Sequence, residues 1–193
     1  CHPSMANNEL SGPVIISKIV KFLKKRKNNF TYRFVILPET IGSISYLSRK
    51  LNILKKRMIA GFVVTCAGDE LTYSLTESRT GKNISDYLVK KFLSNKRNFK
   101  VYSYLDRISD ERQYCSPSVD LPVSTFSKSR DYKEYHTNKD NLNLVTQKGM
   151  KESLEVFKNI IQAFESGAVP SNKMICEPFL SKYKMYPTIS FYN

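Results

Sequence analysis

The sequence predicts an α/β fold: a sheet of mostly parallel strands with helices on both faces. Three observations predict it. Runs of β-branched and aromatic residues alternate along the chain with stretches of helical apolar spacing. The 193 residues are 41% hydrophobic, enough for one core and one domain. No run approaches the roughly 18 consecutive apolar residues that a membrane span needs.

The elements follow in order. Ser11-Gly12-Pro13 reads as a helix start, with Ser11 as the cap and Pro13 tolerated in the first turn. Apolar periodicity then runs from Val14 to about Leu23. Phe30 to Leu37 is β-branched and aromatic and reads as a strand closed by Pro38. Ile44 to Leu54 has helical spacing and ends in basic residues. Met58 to Cys66 is a second apolar strand, closed by Ala67-Gly68-Asp69, and a short strand follows at Leu71 to Leu75. Ile84 to Leu93 is an amphipathic helix, and Phe99 to Leu105 another clear strand. A long loop through Pro117 and Pro122 leads to His136. Lys151 to Glu165 is a helix with Leu154, Phe157, Ile160, Ile161 and Phe164 on one face. From Val169 onward Pro170, Pro178 and Pro187 make the chain irregular.

A net charge of +14 raises nucleic acid and acidic membrane surfaces as partners. The distribution argues against both. The densest run, Lys21 to Lys27, ends an apolar-periodic stretch, where the helix dipole favours cations. Arg49 to Arg57 and Lys90 to Lys100 likewise flank helical patterns, and no zinc finger, RNP-like motif or helix-turn-helix signature is present. Cys1, Cys66, Cys115 and Cys176 are widely spaced, which fits reduced thiols in a cytoplasmic protein and lacks the close pairing of a metal site.

Parallel sheets bind ligands beyond the carboxyl ends of their strands. Three polar loops are candidates there: His2 to Asn8, Pro38 to Ser43 and Asp106 to Cys115. His2 and His136 are the two histidines of the chain, and their spacing matches no compact metal motif. Glu39, directly after a strand and a proline, suits a general base, and equally a first-turn acid of the next helix. Asp110 and Glu111 suit a ligand or a catalytic acid, or an ion-pair cluster with Arg112. Arg112 and the neighbouring Tyr114 are the substrate-binding candidates, Arg112 through its planar fork. A Cys115–His136 nucleophile lacks any oxyanion motif.

Five segments in order carry a resemblance: CHPSMANNELSGP, LPETIGSISYLSR, GFVVTCAGDE, SDERQYCSP and EYHT. From His2 to about Thr188 the chain resembles the aminopeptidase-like domain of a bacterial family often encoded among surface-polysaccharide and sugar-biosynthesis genes. That family is similar to zinc aminopeptidases and glutaminyl cyclases. The resemblance implies a three-layer fold with a mixed, mostly parallel sheet. It implies one aminopeptidase-like domain over 1–193, with preceding strands, an inserted domain and a winged helix belonging to a longer chain. Nucleic-acid contact would belong to that winged helix, and homo-oligomers fit the family.

The resemblance also implies roles. His2 matches the first metal histidine, His136 the last, and Glu39 the general base, while Asp110 falls where relatives place an acid beside the metal. Three carboxylates of two-zinc relatives are replaced by neutral groups, at Asn7 or Asn8, at Thr40 and near Thr65. Neutral amides and hydroxyls are poor zinc ligands. The implied centre is therefore a single zinc held by His2, His136 and one acid, Asp110 or Glu111. The implied activity is hydrolysis of an amide in a small-molecule or peptide-like substrate, such as an N-acyl sugar. The alternative is a degenerate peptidase fold that binds a ligand without catalysis.

Overall fold

The computed structural model describes residues 2, 4–96, 98–167 and 179–185. Its helices are α1 (Ser11–Leu23), α2 (Ile41–Arg57), α3 (Ile84–Leu93), the short α4 (Glu111–Tyr114) and α5 (Gln147–Ser166). Its strands are β1 (Gly61–Val64), β2 (Tyr73–Thr76), β3 (Phe99–Tyr102) and β4 (Val123–Ser127), arranged β1-β4-β2-β3. β1 and β4 are parallel, β2 and β3 are parallel, and β2 and β4 are antiparallel. The sheet is mixed and mostly parallel. No described helix is long and apolar enough to cross a membrane.

Alternation along the strands divides two cores. Phe62, Val64, Leu75 and Phe126 face α1, α3 and α5, whose Ile15, Ile19, Leu88, Val89, Phe157 and Ile160 close the larger core. Phe126 and Phe157 meet edge to face at 5.2 Å. Val63 and Val123 point the other way, into a smaller core with Leu47 of α2, Leu121 and Cys115. Three layers result, with helices on both faces as expected.

Four local expectations change. Phe30 to Leu37 forms no strand and pairs with no described strand. Its first residues dock on the end of α5 instead: Asn29 N and the Tyr32 hydroxyl donate to Glu165 at 2.6 and 2.7 Å, and Phe30 meets Phe164 edge to face. β-propensity reports a fit to a pleated surface, and no described strand offers one here. Conversely, β4 lies within the expected long loop. Its sequence Val-Ser-Thr-Phe-Ser is rich in hydroxyls, yet all five residues are buried. Ser11 lies inside the helix rather than at its cap, because a π-helical turn, Ala6–Leu10, runs directly into α1. Finally, β3 runs opposite to β1, so the three polar loops do not share one carboxyl edge. The Asp106–Cys115 segment reaches the site by lying across the β4 face, where Thr125 Oγ1 donates to Glu111 at 2.5 Å. Of the expected irregular tail, residues 179–185 are described and hold a single 3-10 turn, Leu180–Tyr183; Pro170, Pro178 and Pro187 lie outside the described residues, as do Cys1 and Cys176.

α1 crosses β1 at one close point. A Cβ on Gly12 would sit 2.1 Å from the Val64 carbonyl oxygen, which is backbone and cannot move aside cheaply. In an exposed helix, Gly→Ala stabilises by about 1 kcal/mol. Here the sign reverses: Gly12→Ala is expected to cost about 1–3 kcal/mol of overpacking. In chemical denaturation, a variant more stable than the parent would show that α1 and β1 are not in contact at this point.

Candidate active site

The two histidines meet. His2 lies just before the π-helical turn, and His136 sits in a turn after β4 with φ 57°. Their ring centroids are 3.9 Å apart and tilted by 31°. Tyr135 stacks on His136 at 3.8 Å. Segments separated by more than a hundred residues therefore form one aromatic stack.

Hydrogen bonds around Asp140 produce this meeting. Its carboxylate accepts from Asn7 N at 2.6 Å, Asn8 N at 3.1 Å and the Tyr132 hydroxyl at 2.8 Å. Its backbone oxygen accepts from Ala6 N at 3.1 Å. The His2 segment and the His136 loop are thus tied to one buried residue. Asn7 turns inward, with its amide donating to Asp69 at 2.9 Å and accepting from Gly68 N at 2.7 Å. Asn8 turns toward the imidazoles, 3.3 Å from His2 Nδ1.

Glu9 was not singled out from the sequence, yet its Oε1 lies 3.1 Å from His2 Nδ1 and also accepts from His2 N at 3.2 Å. A carboxylate on Nδ1 favours the proton there and leaves the Nε2 lone pair outward. Glu9 lies in the π-helical turn, a geometry that recurs at functional sites but that sequence spacing does not reveal.

Glu39 is paired with Arg112, Nη2 to Oε1 at 3.0 Å. Burial pushes the Tyr135 phenol up, and the negative charges of Cys66, Glu39 and Glu9 push it the same way, while Arg112 opposes them. Tyr135 therefore stands within electrostatic reach of both carboxylates and of Arg112. Of the expected residues, His2 and His136 share the stack with Tyr135, and Glu39 and Arg112 form their own pair.

The other candidates are directed elsewhere. Asp110 accepts from Thr40 N at 2.8 Å and from Ser43 Oγ at 2.6 Å, at the start of α2. Glu111 is fully buried and accepts from Ile108 N, Ser109 N and Thr125 Oγ1, so no face of its carboxylate opens on a ligand. Tyr114 packs into the smaller core. Cys115 is buried and donates to the Val123 carbonyl at 3.0 Å, away from a nucleophile's role toward His136.

Donor chemistry decides how many metal ions would fit. Asn8 and Thr65 stand where the resemblance puts carboxylates, and they bond to each other, Thr65 Oγ1 donating to Asn8 O at 2.9 Å. A second ion would lack the carboxylates that these neutral residues replace. One ion would have two imidazoles, with His2 oriented by Glu9. Among the described residues no group of three His, Cys, Asp or Glu side chains is arranged to hold a metal.

Comparison with known proteins agrees with the architecture. Residues 1–167 match the family model described as a domain of unknown function, DUF4910. A Clostridium acetobutylicum protein, provisionally named a polysaccharide biosynthesis protein with aminopeptidase-like domain, is 37% identical over 192 residues. The match covers 98% of this chain and 44% of that protein, so the chain spans less than half of its relative. A crystal structure from the same organism, provisionally named a peptidase, has a TM-score of 0.83 at 36% identity, covering 94% of this chain and 44% of its own. A zinc aminopeptidase from Bacillus subtilis has a TM-score of 0.69 at 14% identity, covering 82% of this chain and 42% of its own; that likeness shows the fold alone.

Beneath the stack lies Cys66, with φ 47°, its thiol donating to Asn8 Oδ1 at 3.5 Å. Burial pushes this thiol up to about 11, partly offset by hydrogen bonds from Thr65 and Tyr132. At pH 8 the thiolate is then about 100-fold scarcer than at an ordinary exposed cysteine. Alkylation of Cys66, followed by peptide mapping, should be slower by about that factor; labelling as fast as glutathione would show an open, unpaired site.

Proposed function

The chain belongs to the DUF4910 family, and on that premise we propose that it is an amide hydrolase of the zinc-aminopeptidase type, working with one ion rather than two. The observation that carries the reading is the convergence of His2 and His136, 3.9 Å apart; the Glu39–Arg112 pair acts electrostatically on Tyr135, which stacks on His136. His2 and His136 are the residues that would hold zinc. Bound there, zinc supplies carbonyl polarisation and a water of lowered pKa.

The chain's own groups account for the rest. Glu39 takes the proton of the attacking water and returns it to the leaving nitrogen. Arg112, whose Nε and Nη2 are taken by Ser109, Ile108 and Glu39, turns Nη1 to an anionic group on the substrate. Tyr135 walls the site and stacks on the ring or amide presented to it. The substrate class is an acylated amine, peptide-like or N-acyl sugar. The polysaccharide setting of the relative favours the sugar. The buried free thiols Cys66 and Cys115 support a reducing, cytoplasmic setting.

A second reading, ligand binding without catalysis, is favoured by the neutral Asn8, Thr40 and Thr65. Calorimetric zinc titration and turnover of an N-acyl panel separate the two. The hydrolase reading expects one zinc per chain, lost in His2→Ala and in His136→Ala, and a kcat reduced by about 10²–10⁴ in Glu39→Gln. Ligand binding without zinc uptake or turnover would establish the second reading instead.

A further inference from the structure

Thr40 has φ 64° and ψ −73°, and Ile41 N donates to Glu39 O at 2.8 Å. This is the rare mirror form of the γ-turn, strained for any residue with a Cβ and more so for a β-branched one. It lies directly between Glu39 and the first turn of α2. A strained turn persists only where its surroundings over-determine it.

What over-determines it is Asp110. One carboxylate oxygen takes Thr40 N and the other takes Ser43 Oγ, across 70 and 67 residues of sequence. Two residues further on, Arg112 holds the Glu39 carboxylate, and its own guanidinium is pinned by the Ser109 and Ile108 carbonyls at 3.0 and 3.3 Å. Between them Glu111 roots the segment in the sheet, taking Ile108 N and Ser109 N on one oxygen and Thr125 of β4 on the other. The path runs from β4 through Glu111 to Asp110 and Arg112, and from these to the backbone and side chain of Glu39.

We infer that Asp110 is a positioning residue for Glu39, acting by locking the Thr40 γ-turn, and not a metal ligand. The inference rests on Glu39 being the base. Without the lock, Thr40 returns to negative φ, the Glu39–Thr40 peptide rotates, and the carboxylate leaves its place on Arg112. Glycine adopts the turn with no Cβ to strain it, so Thr40→Gly lessens the need for the lock.

The test uses Asp110→Ala, Asp110→Leu as the variant that fills the space without accepting a hydrogen bond should alanine unfold the chain, and either one combined with Thr40→Gly. Crystal structures of the metal-free variants are expected to show Thr40 at negative φ and the Glu39–Arg112 pair broken. On a substrate that the parent turns over, kcat should fall about 10- to 100-fold with KM nearly unchanged. Adding Thr40→Gly should recover most of kcat but not the melting temperature lost with Asp110, a split that a merely structural role would not produce. An Asp110 variant that keeps Thr40 at positive φ and the Glu39–Arg112 pair intact overturns the inference. So does full kcat in Asp110→Ala when Glu39→Gln is inactive. Full activity in Glu39→Gln would defeat the base reading itself, and the locking of the turn is then judged on the crystal structures alone.

Discussion

One buried carboxylate makes the site. Asp140 is 2% exposed, and its charge is met by three donors: two backbone amides at the start of the chain and a tyrosine hydroxyl eight residues before it. A carboxylate buried without donors would be very costly, whereas charge-assisted bonds to N–H and O–H groups are the stronger kind. Because its donors come from both segments, satisfying Asp140 fixes the His2 segment against the His136 loop. The imidazole stack, the approach of Glu9 and the placing of Asn8 all follow from that closure. A hydrophobic contact would have joined the segments without setting their register, because it has no direction.

The same device recurs through the interior. Asp69, Asp86 and Glu111 are fully buried, and each is held by amide or hydroxyl donors from its own or a neighbouring loop. Lys128 is the buried cation, paired with Glu152 at 2.6 Å and lying 3.7 Å above the Tyr73 ring. Polar ties of this sort specify where loops cross a small sheet of four- and five-residue strands. They also leave the many surface cations outside the site, consistent with their place at helix ends. The scaffold carboxylates are thus capped by amides and hydroxyls, whereas Glu39 pairs with the Arg112 guanidinium.

The sequence was most legible where local and tertiary signals coincide. Ile84–Leu93 coincides with its helix, because apolar spacing is bounded by a capping box of Asn83 and Asp86. β1 and β3 fall within their apolar runs. Phe30 to Leu37 misleads because its composition is that of a strand, while pairing depends on partners that composition does not reveal. β4 is hidden for the opposite reason: Ser124, Thr125 and Ser127 look like loop residues, and only neighbouring strands bury them. At the site, Glu39 was legible from its place after an apolar run and a proline, whereas the pairing of His2 with His136 was visible through resemblance and not through spacing. Asp140 and Glu9 had no signal of their own, since their importance lies in what the fold brings to them. Asp110 is expected from the resemblance as an acid beside the metal; in the structure its oxygens accept from Thr40 N and Ser43 Oγ.

With two histidines in the chain, the closure can be observed directly. In protein labelled only at histidine, nuclear Overhauser contacts between the His2 and His136 ring protons report the pair without ambiguity. Strong contacts are predicted in the parent, lost in Asp140→Ala while circular dichroism still shows the helices. Rings without mutual contacts in the parent, or contacts that survive the loss of Asp140, would contradict the claim that this carboxylate assembles the site.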